Sequence, residues 1–221
     1  MPAPPEVEVR VLRVFCGADG GYGNPLGVVL DGAAVAAGDR QALARHLGYS
    51  ETVFVDDAPS GRMEIYTPEV EYPFAGHPTV GTAWLLRREG FAVGELHPPA
   101  GEVPVRFDGD VTYVQGRVEW CPDFDLIELA GPAEIDEHPG IEEGDIYIWA
   151  WIDERVGLIR ARCFAPDAGI VEDEATGSSV LRLAAELGRE IEVRQGEGSV
   201  IWARPLADGM VEIGGRVAED R

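Results

Sequence analysis

The sequence contains no lysine; its 18 basic residues are all arginine. That excludes Schiff-base chemistry, a lysine-anchored pyridoxal phosphate and a Walker-type phosphate loop. Basic charge is scarce altogether. Asp and Glu number 40, for a formal net charge of −22 and a pI near 4.4. Nucleic acid and anionic membrane surfaces need a basic footprint and are not expected partners. No apolar run approaches the ~20 residues that span a bilayer. Met1-Pro2-Ala3-Pro4-Pro5-Glu6 lacks the basic and apolar regions of a signal peptide. The three cysteines, Cys16, Cys121 and Cys163, have no CxxC spacing, which argues against a disulfide framework or zinc site and for a reducing cytoplasm. The four histidines, His46, His77, His97 and His138, form no HxH or HxxxH pair, so no metal is expected.

What is present fits one large domain or two lobes of about 100 residues each. Apolar residues make up 45% of the 221 positions. Short apolar runs predict many strands, among them Leu26–Leu30, Thr52–Val55, Arg62–Tyr66, Ile146–Ile152, Gly157–Phe164 and Met210–Ile213. Three segments read as helices: Asp39–Leu47 closed by Gly48, His77–Arg88 with Pro78 in its first turn, and Ser178–Leu187 closed by Gly188. The acidic stretch Gly131–Gly144 reads as a linker.

The second and third helices are apolar around most of their circumference, through Val80, Ala83, Trp84, Leu85 and Leu86 in one and Val180, Leu181, Leu183, Ala184, Ala185 and Leu187 in the other. Such helices are enclosed rather than laid on a surface. In a strand-rich chain the enclosure is a curled sheet, one per half. The halves also echo each other. Arg62–Pro68 leads to Gly76-His77 and a helix; Arg160–Pro166 leads to Gly177-Ser178 and a helix. A duplication places the two helix starts about a pseudo-twofold axis, facing one cleft. Their free N–H groups and partial positive charge suit a carboxylate, which lets an acidic protein hold a small anionic substrate without lysine.

Four ordered segments resemble the phenazine-biosynthesis isomerase-like (PhzF-like) family, whose fold is that of diaminopimelate epimerase: Val14–Val29 with Gly23-Asn24-Pro25-Leu26-Gly27, Leu47–Val55 with Ser50-Glu51-Thr52, Tyr66–Gly81 with Ala75-Gly76-His77-Pro78-Thr79, and Phe164–Ser178 with Glu172-Asp173-Glu174-Ala175-Thr176-Gly177-Ser178. Gln195-Gly196 is a weaker fifth. The resemblance implies an α+β fold of two pseudo-symmetric lobes, each a β-barrel-like sheet around a central helix. The lobes are expected over 1–110 and 111–221, with the site between them. It also implies a cofactor-independent isomerase or epimerase and a homodimer.

Glu51 matches the family's catalytic glutamate, and the chemistry supports the match: moving a proton on carbon beside a carboxylate needs a base that can return it, which a glutamate in a dry cleft can do. His77 matches the histidine of the Gly-His motif and would orient or polarise the substrate, unless it is a structural helix cap. Asp173 would hydrogen-bond the substrate or fix the protonation of Glu51. Gly177 and Ser178 would hold a carboxylate at the helix start, with Ser178 as a plain N-cap the simpler alternative. Asn24 would supply an amide contact, and Gly76 would let backbone approach the ligand.

The epimerases of this fold use two cysteines. The matching positions here are Ala75 and Thr176, so a cysteine-dependent racemase is disfavoured. A non-catalytic small-molecule binding protein remains the alternative to an isomerase. Three departures from the family pattern, Glu174, Pro78 and the missing arginine after Gln195-Gly196, leave the substrate open.

Overall fold

The computed structural model describes residues 7–220. In chain order these form β1 (Arg10–Cys16), β2 (Asn24–Val29), α1 (Ala37–Leu47), β3 (Glu51–Asp57), β4 (Arg62–Tyr66), β5 (Glu71–Tyr72), α2 (Gly76–Arg88), β6 (Glu95–Leu96), β7 (Val103–Asp108), β8 (Val111–Arg117), β9 (Asp125–Glu128), α3 (Pro132–Glu137), β10 (Ile146–Asp153), β11 (Leu158–Ala165), β12 (Ile170–Asp173), α4 (Gly177–Leu187), β13 (Ile191–Gln195), β14 (Ser199–Pro205) and β15 (Met210–Glu219). Short 3-10 turns punctuate the connections.

The echo between the halves is a repeat of topology. In the first half, β2 and β3 pair in parallel across α1, β4 and β5 follow antiparallel, and α2 leads to β6. A parallel bridge from Arg62 to His97 brings the β6 end beside β4, and β7 and β8 complete the run. In the second half, β9 and β10 pair in parallel across α3, β11 and β12 follow antiparallel, and α4 leads to β13. β13 lies parallel beside β11, and β14 and β15 complete the run. The fold is the expected α+β one, strands wrapped about two central helices.

The stretch 131–144 is not a linker. It holds α3, the counterpart of α1, with Ile135 fully buried beside Ile148, Ala150 and Phe164. Arg162 donates to the carbonyls of Ile135 (3.2 Å) and His138 (2.8 Å), and Arg160 pairs with Asp136 (2.8 Å). One apolar side chain and two arginines from β11 fix a segment whose composition reads as loop.

The enclosed helices occupy the core. In α2 every residue from Gly76 to Ala83 is buried, with Leu85 and Leu86; in α4 so are Gly177–Leu181, Leu183 and Ala184. α2 packs against β1, β2, β3, β8 and β15, α4 against β14 and β15, and the helices touch each other. Each large apolar side chain buried here contributes about 1.5–3 kcal/mol. Pro78 is harmless, because its missing N–H falls in the first turn, ahead of the first intrahelical bond from Thr79 N to Ala75 O. α4 ends at Gly188 in the left-handed conformation (φ 63°), its N–H bonded to Ala184 O. No helix among the described residues is long and apolar enough to cross a membrane.

Candidate active site

The two central helices begin against each other. A Cβ on Gly76 would stand 2.9 Å from Gly177 Cα and 2.6 Å from Ile213 Cδ1, and one on Gly177 would stand 3.0 Å from Gly76 Cα. Only glycine at both places allows this approach. The residue that would cap each helix is Ala75 for α2 and Thr176 for α4, and neither side chain caps. The first intrahelical bonds run from Thr79 N to Ala75 O and from Val180 N to Thr176 O. The N–H groups of Gly76, His77, Gly177, Ser178 and Ser179 precede them and lie at the positive ends of two helix dipoles. His77 and Ser178 therefore sit inside the first turns, not at the caps.

Glu51 opens β3, and parallel pairing sets it beside Leu26 of β2. Its side chain is 13% exposed, and Oε2 is buried with no hydrogen-bond partner. That oxygen lies 3.5 Å from His77 Nε2, which is equally unpartnered on a side chain 4% exposed. Burial raises the Glu51 carboxyl from 4.5 to about 7, with the Ser50 hydroxyl pulling the other way. Burial lowers His77 from 6.5 to about 4, against the charge of Asp173 and a hydrogen bond to the Pro25 backbone. Pro25 has only a carbonyl to offer, so the ring donates from Nδ1 and Nε2 carries a lone pair. Near neutral pH the site holds a carboxyl poised to gain or lose a proton facing an uncharged imidazole.

Asp173, at the end of β12, is raised from 3.8 to about 6, by burial first and the charge of Glu51 second. Asn24 Nδ2 donates to Asp173 Oδ1 (2.6 Å) and to Ala175 O (2.9 Å), joining the start of β2 to the turn before α4. Ser50 Oγ donates to Asn24 Oδ1 (3.3 Å), and Thr176 Oγ1 donates to Asp173 Oδ2 (2.5 Å). The structure thus brings Asn24, Glu51, Gly76, His77, Asp173, Gly177 and Ser178 together at one end of the two helices. Asn24 reaches Asp173 rather than open space.

Several neighbours escape the sequence reading. Thr176 and Ser50 tie the acids together. Gln195, fully buried at the end of β13, bonds Asp173 O, Thr176 Oγ1 and Thr176 N. Tyr72 on β5 pairs with Ile65, which pairs with Val53, so it shares a sheet face with Glu51 two residues away. Its phenol is raised by burial and then by the charges of Glu51 and Asp145. The period-two alternation Glu51, Val53 could have flagged that face; Gln195 stands in the weaker Gln195-Gly196 match, but nothing local gives its amide a role.

Glu174, a departure from the family pattern, has a structural use. Its carboxylate accepts from Ser199 Oγ (2.7 Å) and Glu197 N (3.0 Å), so it caps the 196–198 turn. A Cβ on Gly196, at φ +57°, would overlap that carboxyl. Ser199 in turn accepts from Gly23 N (3.1 Å), beside Asn24.

Cys16, Cys121 and Cys163 are all buried, and Cys163 lies beside Asp173, Thr176 and Ser179 at the start of α4. Burial pushes each thiol up, Cys121 to about 12, the reverse of what a thiolate base needs. Among the described residues no three His, Cys, Asp or Glu side chains gather as a metal-holding group.

The phenazine biosynthesis-like protein family matches residues 14–133, more than half of the chain. An uncharacterized isomerase of Mesorhizobium japonicum is 38% identical over 128 residues, 53% of this chain but only 39% of that protein's length. The trans-2,3-dihydro-3-hydroxyanthranilate isomerase of Pseudomonas chlororaphis is 29% identical over 226 residues, covering 79% of this chain and 80% of the relative. The crystal structure of a phenazine biosynthesis PhzC/PhzF protein from Clostridium difficile superimposes with a TM-score of 0.79 at 19% identity over 98% of both chains, a likeness of fold. The motifs, the paired glycine helix starts and these matches agree: the chain belongs to the phenazine biosynthesis-like protein family.

Proposed function

We propose that the protein is a cofactor-independent isomerase that moves a proton on a small carboxylated metabolite, with Glu51 as the acid and base. Residues 1–110 and 111–221 supply the two walls of its site. The observation that carries this reading is the pair of orphaned buried atoms, Glu51 Oε2 and His77 Nε2, 3.5 Å apart beside two converging helix starts. Buried polar atoms without partners are costly, and here they face the place where a ligand's own donors and acceptors would satisfy them.

The substrate carboxylate is held by the first-turn N–H groups of α2 and α4 and by the Ser178 hydroxyl. Ionised Glu51 takes the proton from the adjacent C–H bond. The electron pair delocalises into the carboxylate, where the helix-start N–H groups stabilise the growing charge. Protonated Glu51 then returns the proton to that carbon, or to the far end of a C=C bond conjugated with it, so no atom is gained or lost. A carboxyl raised to about 7 suits both halves of the cycle. His77, uncharged near neutral pH, orients substrate or accepts a hydrogen bond from it. The buried, high-pKa thiols and the Ala75 and Thr176 cap positions leave no second base of the two-cysteine kind.

The Pseudomonas relative's name supplies a test compound that carries a carboxylate. Wild type and Glu51→Gln are incubated in D2O with trans-2,3-dihydro-3-hydroxyanthranilate and, separately, with a small-metabolite extract, then followed by mass spectrometry. A +1 Da shift or isomer change made by wild type alone is the expected result. Equal labelling by both proteins would overturn the role of Glu51.

A further inference from the structure

Two acids share the site, and the hydrogen-bond network around them is directional. Gln195 can be oriented in only one way. The Thr176 backbone N–H must donate, so the atom it meets at 3.1 Å is Oε1; the Asp173 carbonyl must accept, so the atom it meets at 2.9 Å is Nε2. Nε2 then donates to Thr176 Oγ1 (2.9 Å), and Oε1 also accepts from the buried Tyr147 hydroxyl (3.0 Å). With its oxygen accepting from Gln195, Thr176 has its own hydroxyl proton free for Asp173 Oδ2. Asn24 is pinned likewise, because Ala175 O must accept from Nδ2. The same nitrogen donates to Asp173 Oδ1, while the Ser50 hydroxyl has one proton for two acceptors, the amide Oδ1 at 3.3 Å and the Glu51 carboxylate. Both oxygens of Asp173 thus receive donors, and Glu51 Oε2 receives none.

We propose that Gln195 is a positioning residue of this site: its locked amide turns the Thr176 hydroxyl onto Asp173, which holds Asp173 as the carboxylate and leaves the one mobile proton of the acidic pair on Glu51. Tyr147 assists by holding Oε1. The proposal rests on Glu51 as the proton carrier and explains why the other buried acid does not compete for that task. Burial and the charge of Glu51 push Asp173 up, and the Thr176 and Asn24 bonds oppose them. His77 from α2 also acts on Asp173 and the Ser50 hydroxyl on Glu51, while the charge of Asp173 is felt by Tyr147 on β10 and Cys163 on β11, and that of Glu51 by Tyr72 on β5. Asp145 faces Tyr72 and Cys163, and Arg160 faces Tyr147.

The test reads protons directly and needs no substrate. Protein labelled with 13C at the Asp and Glu side-chain carboxyls is titrated by NMR, with Glu51→Gln and Asp173→Asn used for assignment. In wild type, Glu51 titrates above Asp173. In Gln195→Met, which keeps length and burial, the Asp173 midpoint rises by at least one pH unit. The Glu51 midpoint falls, because a neutral Asp173 no longer repels its charge. Tyr147→Phe, which removes one hydroxyl, gives a smaller change of the same pattern and serves if Gln195→Met fails to fold.

Opposite movement of the two midpoints is the signature of a relocated proton; loosened packing would carry both toward ordinary carboxylate values. Unchanged midpoints, both falling together, or a wild-type Asp173 that titrates above Glu51 would each overturn the proposal. A failed deuterium experiment with the opposed midpoints intact would remove the catalytic reading alone.

Discussion

A carboxyl that folding forces into a dry site leaves a mark on stability as well as on chemistry. The unfolded chain ionises Glu51 near its ordinary 4.5, and the folded chain near 7. Between those values the folded state binds the extra proton, so stability falls as pH rises through the window. Above pH 7 the full cost is present, and below 4.5 it vanishes. The gap of roughly 2.5 pH units at about 1.36 kcal/mol each makes the cost about 3 kcal/mol at most, because Asp173 shares the charge. His77 acts in the opposite sense: its pKa is depressed, so stability is lost as pH falls from 6.5 toward 4. The two contributions overlap and mask each other in wild type.

Glu51→Gln removes one of them. Any constant cost of burying the amide cancels when pH values are compared. Relative to wild type, the variant gains about 2–3 kcal/mol between pH 5 and pH 8, or roughly 5–10 °C in Tm for a chain of this size. The assay is thermal unfolding of both proteins in a buffer series of constant ionic strength. Parallel Tm-versus-pH curves would refute the claim that Glu51 is protonated in the folded site near neutrality.

Other perturbations separate the parts of the structure. Gly177→Ala presses a methyl onto Gly76; overpacking of this kind costs about 1–3 kcal/mol, and forcing the helix starts apart abolishes turnover in the deuterium assay. Leu85→Ala or Leu181→Ala, each at a fully buried position in a central helix, lowers stability by about 2–5 kcal/mol in urea titrations. Arg40→Ala strands Asp56 and Glu64, which Arg40 holds at 2.5 and 2.7 Å, and costs about 3–5 kcal/mol by the same measurement. N-ethylmaleimide leaves turnover intact, since all three cysteines are buried and burial holds their thiols protonated; inactivation before unfolding would revive a thiol mechanism.

The legible parts of the fold are those where the sequence overdetermines the outcome. α2 and α4 show themselves because Leu85, Leu86, Val180 and Leu181 leave no polar face to expose. α1 stops where expected because Gly48 takes a left-handed conformation at φ 72°. α3 is illegible because Ile135 is its one buried apolar residue and its anchors, Arg160 and Arg162, lie on another strand. β5, β6 and β12 run only two to four residues, too few for a period to appear. In the site, the glycine-bounded helix starts and Glu51 stand in recognisable motifs. The direction of the proton network does not, because it arises where the Gln195 amide meets two backbone groups nineteen or more positions away.

β15 gives the chain a particular order of assembly. Its ten residues pair with β1, β8 and β14, so the strand closing the second half also completes the sheet of the first. During synthesis β1 can pair at once with β2, but its other neighbour, β15, is made only after all the strands between them. Until then β1 and β8 present open edges to other nascent chains, and the groove that seats α2 lacks a wall. Closure at so long a sequence separation is slow. Separately expressed halves would meet the same deficit, since the first would still need β15 from the second.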